Sequence, residues 1–249
     1  MAMLALLFAV AVWAGIQNAL AGGGSFVILP TLMLTGLDAR AANIASTLAL
    51  FPGQVTTGLV GRKNVSGLGG LSFRWLMIIS VVGGAIGAAL LLLTPSSFFA
   101  HLVPWLVLFA TGLFAYGSFF QKPQQDGAAR VGPRAAAAMQ FAIAIYGGYF
   151  GGGIGFLMLA ALTAAGLAVR TAGATKNVLA SVMNAAAVAI FVFTPGIPWL
   201  RVAVICAGAI LGGFAGAHAL KRVDEKLIRG FVVLLGVCLT VALFWQSLR

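Results

Sequence analysis

Charge is what this sequence has least of. Charged residues make up 8% of its 249 positions, and only four of them are acidic. A water-soluble domain carries about 25% charged residues. With 61% hydrophobic residues, the chain lacks the polar surface to cover a soluble particle. All four acids, Asp38, Asp126, Asp224 and Glu225, fall between apolar runs. That argues against a proton or sodium relay built on membrane carboxylates. Cysteine is nearly absent too. Cys206 and Cys238 lie in apolar runs without ligand spacing and read as small hydrophobes. His101 and His218 form no metal pair, so neither a metal nor a cofactor is expected. The sequence has no P-loop, no H-E-x-x-H and no Ser/His/Asp grouping. These absences argue against ATP drive within the chain and against a membrane hydrolase. The chain reads as a non-enzyme.

What is present is apolar length. Runs such as 75–93 and 102–120 match the roughly 20 residues that cross a bilayer. The first run lacks the basic region of a signal peptide, so it is expected to be retained. The net charge of +11 would suggest nucleic acid in a soluble protein. In a membrane chain it belongs to short basic loops that set orientation, so no nucleic-acid partner is expected. Attraction of an anion remains a second use for the same charge.

Glycine organises these runs. Gly22-Gly23-Gly24 and Gly151-Gly152-Gly153 each interrupt a long apolar stretch, 129 residues apart. Gly83, Gly84 and Gly87 have the spacing of Gly212, Gly213 and Gly216, also 129 residues on, and Gly36-Leu37 recurs 130 residues on as Gly166-Leu167. The chain therefore reads as an all-α polytopic membrane protein with a first repeat at 1–121, a cytoplasmic linker at 122–134 and a second repeat at 135–249. Helices are expected at 2–20, 25–35, 37–60, 72–93, 102–120, 135–150, 154–165, 172–193, 199–220 and 231–245. Eight are full spans. The two pieces after the triplets are shorter and either cross or re-enter.

Loop charge orients the copies. Arg62, Lys63 and Arg74 flank one basic loop, the linker is a second, and Lys221, Arg222, Lys226 and Arg229 form a third. The connections near Thr94 and Thr194 carry no Lys or Arg and belong outside. Equivalent loops then lie on opposite sides, so the repeats are inverted and both termini are outside.

Inverted repeats with broken helices are the pattern of secondary transporters, which bind substrate near the midplane. The helices opening at Ser25 and Ile154 would present free N–H groups and partial positive charge to an anion. Close packing of helices is the alternative use for the glycines. A 130-residue offset pairs Ser46 with Lys176, Thr47 with Asn177 and Gln54 with Asn184. Thr47 and Gln54 share one helix face, as do Asn177, Ser181 and Asn184. Such stripes line a cavity or bond neighbouring helices. Lys176 is expected about one turn into its helix, binding an anion or snorkelling to the interface. Arg40 and Arg170 are expected in loops at helix starts. The candidate substrate site comprises both triplets with Ser25, Asn43, Ser46, Thr47, Gln54, Thr175, Lys176, Asn177 and Asn184.

The segments 21–30 (AGGGSFVILP) and 150–156 (FGGGIGF), each followed by Gly-Leu and an alanine-rich polar segment (41–48 and 172–179), resemble the sulfite exporter TauE/SafE family. The resemblance covers nearly the whole chain. The second copy has Ala160 near the place of Pro30. The resemblance implies a multi-pass inner-membrane exporter of a small sulfur-containing anion, sulfite or an organosulfonate. The expected partners are that anion and the bilayer, and a homodimer is an admissible assembly. An anion channel, and an assembly subunit whose polar patches only join helices, are the alternatives.

Overall fold

The computed structural model describes residues 1–20, 23–68, 70–116, 131–219 and 225–247. Among them are ten α-helices: α1 (Ala2–Leu20), α2 (Ser25–Leu34), α3 (Ala39–Gly61), α4 (Phe73–Leu93), α5 (Ser96–Ala115), α6 (Pro133–Tyr149), α7 (Ile154–Ala164), α8 (Val169–Phe191), α9 (Trp199–Ala219) and α10 (Glu225–Ser247). A 3-10 turn, Arg62–Asn64, follows α3. Eight helices are long, and the two that follow the triplets are short. Four segments are by length and composition able to cross a membrane: Phe73–Leu93, Ser96–Leu113, Arg170–Phe191 and Trp199–Gly216. Trp75, Ile86, Trp105, Phe214 and Val237 point outward, as a lipid-facing surface requires.

Several helices begin earlier than their apolar runs. Helix α5 starts at Ser96 rather than 102, α8 at Val169 rather than 172, and α10 at Glu225 rather than 231. Hydrophobicity marks the part of a helix buried in lipid or protein, whereas its hydrogen-bonded length includes a polar first turn. Pro95 and Pro133 also pre-set backbone angles suited to helix starts. In consequence Arg40 and Arg170 lie in first helical turns, not loops, and Glu225 opens a helix. The expected linker at 122–134 and the Lys221 loop fall largely outside the described residues.

The two halves pack by exchange of equivalent elements. Contacts of α1 with α9 match those of α6 with α4, and α3 with α9 match α8 with α4. Helices α3 and α8, and α5 and α10, meet their own counterparts. Both of these self-pairs are antiparallel. Gln54 meets Ser181 and Asn184, while Ser66, beyond the end of α3, meets Thr175. Trp105 meets the ring of Phe244, and Thr111 meets Gly236.

The glycines that let helices touch sit one turn away from the expected match. Gly83 rests on Phe141–Ile145 of α6 and Gly87 on 145–149; Gly208 rests on 8–12 of α1 and Gly212 on 12–16. Gly87 and Gly212 therefore occupy equivalent places. A Cβ on either would strike a backbone carbonyl, Ile145 O or Val12 O.

The short helices fold back along the helices that precede them. Gly24 packs back against Ala14 and Asn18 of α1. Thr35, ending α2, receives Arg201 Nη1 from the start of α9 at 2.9 Å, and α9 runs parallel to α1. The hairpin α1–α2 thus returns to the face where it began. Arg40 and Ser96 reach Thr94 and Asp38 on that same face. The hairpin α6–α7 does the same from the opposite face, which holds Ser66, Pro133 and Arg170. Phe26, Leu29 and Leu32 of α2 and Met158 and Leu162 of α7 are buried, so both half-helices sit inside the bundle.

Candidate functional site

Both half-helices start at one place. Gly23 has φ 81° and Gly153 φ 76°, left-handed angles that glycine adopts without strain. Each begins its helix with the same bond: Phe26 N–H to Gly23 O at 2.9 Å and Phe156 N–H to Gly153 O at 3.1 Å. A cavity of about 50 Å³ lies between the two starts. Its walls are Gly23 and Ser25 at the head of α2, Gly151, Gly153, Ile154 and Gly155 at the head of α7, Asn18 of α1, Gln54 and Thr57 of α3, and Lys176, Asn177 and Ala180 of α8. Drug-sized pockets run to about 300–1,000 Å³, so this one suits a few-atom ligand or water.

The walls are positive and rich in donors. Two helix N-termini aim unpaired N–H groups and partial positive charge at the cavity. Lys176 lies seven residues into α8, roughly 10 Å along the axis at 1.5 Å per residue. That is about two turns, deeper than its apolar run suggests. Its Nζ stands 3.5 Å from where a Cβ on Gly155 would be, against the first turn of α7. Among the described residues nothing hydrogen-bonds or ion-pairs with this ammonium, and no described carboxylate lines the cavity. The arrangement suits a small anion whose oxygens accept from backbone N–H, amide and hydroxyl groups.

Of the residues singled out in the sequence, Gly23, Ser25, Gln54, Gly151, Gly153, Lys176 and Asn177 line the cavity. Gly22 lies outside the described residues. Gly24 packs on α1, and Gly152 is wedged between Phe150 and Phe26 with its carbonyl held by Tyr146 Oη at 2.9 Å. The remainder do not line the cavity: Asn43, Thr175 and Asn184 tie their helices to other elements, Thr47 bonds within α3, and Ser46 is buried beside it. Asn43 Nδ2 donates to Tyr149 O at 3.1 Å, satisfying the last turn of α6. Thr47 Oγ1 donates to Asn43 O. Thr175 Oγ1 accepts from Ser66 N–H at 3.1 Å. Asn184 Nδ2 donates to Gln54 Oε1 at 2.5 Å, so it backs a cavity residue without reaching the cavity. Ser46 Oγ is buried without a hydrogen-bond partner.

Asn18 and Thr57 line the cavity and were not singled out. Both carry a readable signal. Asn18 and Gln17 are polar residues at the end of an apolar helix, and Thr57 stands one turn beyond Gln54 on the same face. Gln17 contributes indirectly, through Nε2 to Gly23 O at 3.3 Å.

Known proteins share this sequence over its length. The family profile described as sulfite exporter TauE/SafE matches residues 7–243. A probable membrane transporter protein of Haemophilus influenzae is 29% identical over 98% of this chain and 96% of its own length. The probable membrane transporter protein YfcA of Escherichia coli K12 is 28% identical over 98% of this chain and 91% of its own. A probable membrane transporter protein of a Sinorhizobium species is 28% identical over 97% and 92%. Matched over nearly its whole length, and with ten helices and an apolar exterior among its described residues, the chain belongs to the sulfite exporter TauE/SafE family of multi-pass membrane transporters.

Proposed function

We propose that this protein exports a small sulfur-containing oxyanion, sulfite or an organosulfonate, across the inner membrane, with the cavity between α2 and α7 as its binding site. One observation carries the reading. Two helix N-termini and an unpaired lysine converge on a cavity that holds only a few atoms. Backbone N–H groups at Gly23, Ser25, Gly153 and Gly155 with Gln54, Thr57, Asn18 and Asn177 would hold the oxygens. Lys176 would supply the charge.

The two repeats are read as inverted. The support is the antiparallel course of α3 against α8 and of α5 against α10, each a helix meeting its own counterpart. Arg62, Lys63, Arg74, Arg134 and Arg170 gather toward one face, which the positive-inside rule makes cytoplasmic. Arg40 and Arg201 on the other face are engaged with carbonyl groups. Movement of one repeat against the other would then expose the cavity to each side in turn.

The test is ligand-dependent stabilisation of the purified protein. Sulfite or a short sulfonate should raise the melting temperature, and a neutral analogue such as dimethyl sulfone should not. Lys176→Gln should weaken the anion effect about tenfold or more. A wild-type protein that responds to none of these anions would sink the proposal.

A further inference from the structure

Arg40 and Arg170 hold the same place in the two halves, each in the first turn of its helix. Their guanidinium groups do different things. Arg40 Nη1 donates to Thr94 O at 2.9 Å and Leu92 O at 3.3 Å, tying the start of α3 to the end of α4. Arg170 is exposed and makes no hydrogen bond or ion pair with any described residue. It lines a wide depression of about 600 Å³, open to the surface on the basic face, together with Asn64, Val65, Ser66 and Thr171. A side chain that serves as a clamp in one half is thus left free in the other, facing open space and hydrogen-bonding groups.

We propose that this cavity is a second, outer site for a small oxyanion, with Arg170 as its charge and Asn64 and Thr171 as its hydrogen-bonding wall. A guanidinium presents parallel N–H groups that match two oxygens of one oxyanion, and the Thr171 hydroxyl and the Asn64 amide supply further donors, whereas Ser66 Oγ–H is given to Gly67 O at 3.1 Å. Among the described side chains the only carboxylate is Asp38, and it lies on the opposite face, so no described carboxylate competes for the guanidinium. Ser66, on the wall of the site, is bonded through its N–H to Thr175 Oγ1 at 3.1 Å, and Thr175 directly precedes Lys176 of the central cavity. Arg170 and Lys176 are six residues apart on α8, roughly 9 Å along the axis. The outer site would hand its anion past the Ser66–Thr175 bond to the central cavity. That role on the path rests on the central cavity being the anion site proposed above; binding at the outer site does not.

The experiment is calorimetric titration of the full chain with sulfite in phosphatidylcholine nanodiscs, comparing wild type, Arg170→Gln, Arg170→Lys and Lys176→Gln. Two binding phases are expected in wild type. Arg170→Gln should weaken the looser phase at least tenfold and keep the tighter one, Arg170→Lys should restore part of it, and Lys176→Gln should do the reverse of Arg170→Gln. Thr171→Val keeps the side-chain shape while removing a hydroxyl from the wall, and should weaken the looser phase as an independent variant. Sulfite binding by Arg170→Gln and Thr171→Val that matches wild type overturns the outer site. So does an Arg170 effect that appears only when phosphatidylglycerol is added, which assigns the guanidinium to a lipid phosphate. A looser phase that depends on Arg170, with no phase that depends on Lys176, upholds the outer site and refutes the central one.

Discussion

Gln54 and Asn184 are counterparts in the two halves, and they bond to each other where α3 crosses α8. Asn184 Nδ2 donates to Gln54 Oε1 at 2.5 Å, while Ser181 Oγ donates to Gln54 O at 2.8 Å. The bond joins two positions 130 residues apart in sequence and ties α3 to α8 at their crossing.

Replacing one partner there leaves a buried acceptor or donor unmet. Asn184→Ala should destabilise the ligand-free protein by about 1–3 kcal/mol. Replacing both partners with leucine should cost less than the sum of the two single replacements, because neither group is then orphaned. Thermal unfolding in one detergent measures all three. Strict additivity would mean that the two side chains do not depend on each other.

Gly212 and Gly213 are adjacent and should respond in opposite ways. A Cβ on Gly212 collides with the Val12 carbonyl, whereas nothing lies within 4 Å of one on Gly213. Gly212→Ala should push α9 off α1 and lower the melting temperature or the yield of folded protein. Gly213→Ala should be neutral or stabilise by up to about 1 kcal/mol from helix propensity. Equal effects at the two positions would contradict the α1–α9 register.

Asp38 caps α3 and ties it to α5. Burial alone would raise its carboxyl, but the hydrogen bond from Ser96 Oγ, those from the amides of Ala41 and Arg40, and the Arg40 charge together hold it below the usual carboxylate value. A lowered pKa contributes stability that is present above the unfolded value of about 3.9 and is lost as the pH falls through the folded one. Wild type should therefore melt above Asp38→Asn at neutral pH, and the gap should narrow below about pH 4. A gap that stays constant down to pH 2 would show that the carboxylate charge is not involved.

Much of this architecture could be read from the residues. The breaks at the glycine triplets, the short helices after them and the polar faces of α3 and α8 follow from spacing and composition. The 130-residue offset that pairs Gln54 with Asn184 joins two residues that touch. The glycine pairing between α4 and α9 was misread by one turn. Gly208, Gly212 and Gly216 recur every four residues, so a shift of one turn still sets glycine on glycine. The connection after α8 is also shorter than the one after α3, which spacing alone does not reveal. The free state of Arg170 was equally hidden. Its sequence surroundings resemble those of Arg40, and only the tertiary position of α4 gives Arg40 its carbonyl partners. Asn18 stands in an otherwise apolar helix, and only the fold of α2 back against α1 brings it to the cavity.

The meeting of α2 and α7 head to head has a mechanical consequence. Two helix N-termini point their partial positive charges at one another across a gap that no described carboxylate lines. Like ends facing each other resist approach. On the function proposed above, an anion set between them would relieve that repulsion and draw the two short helices together, so the loaded cavity would be the tighter of the two states.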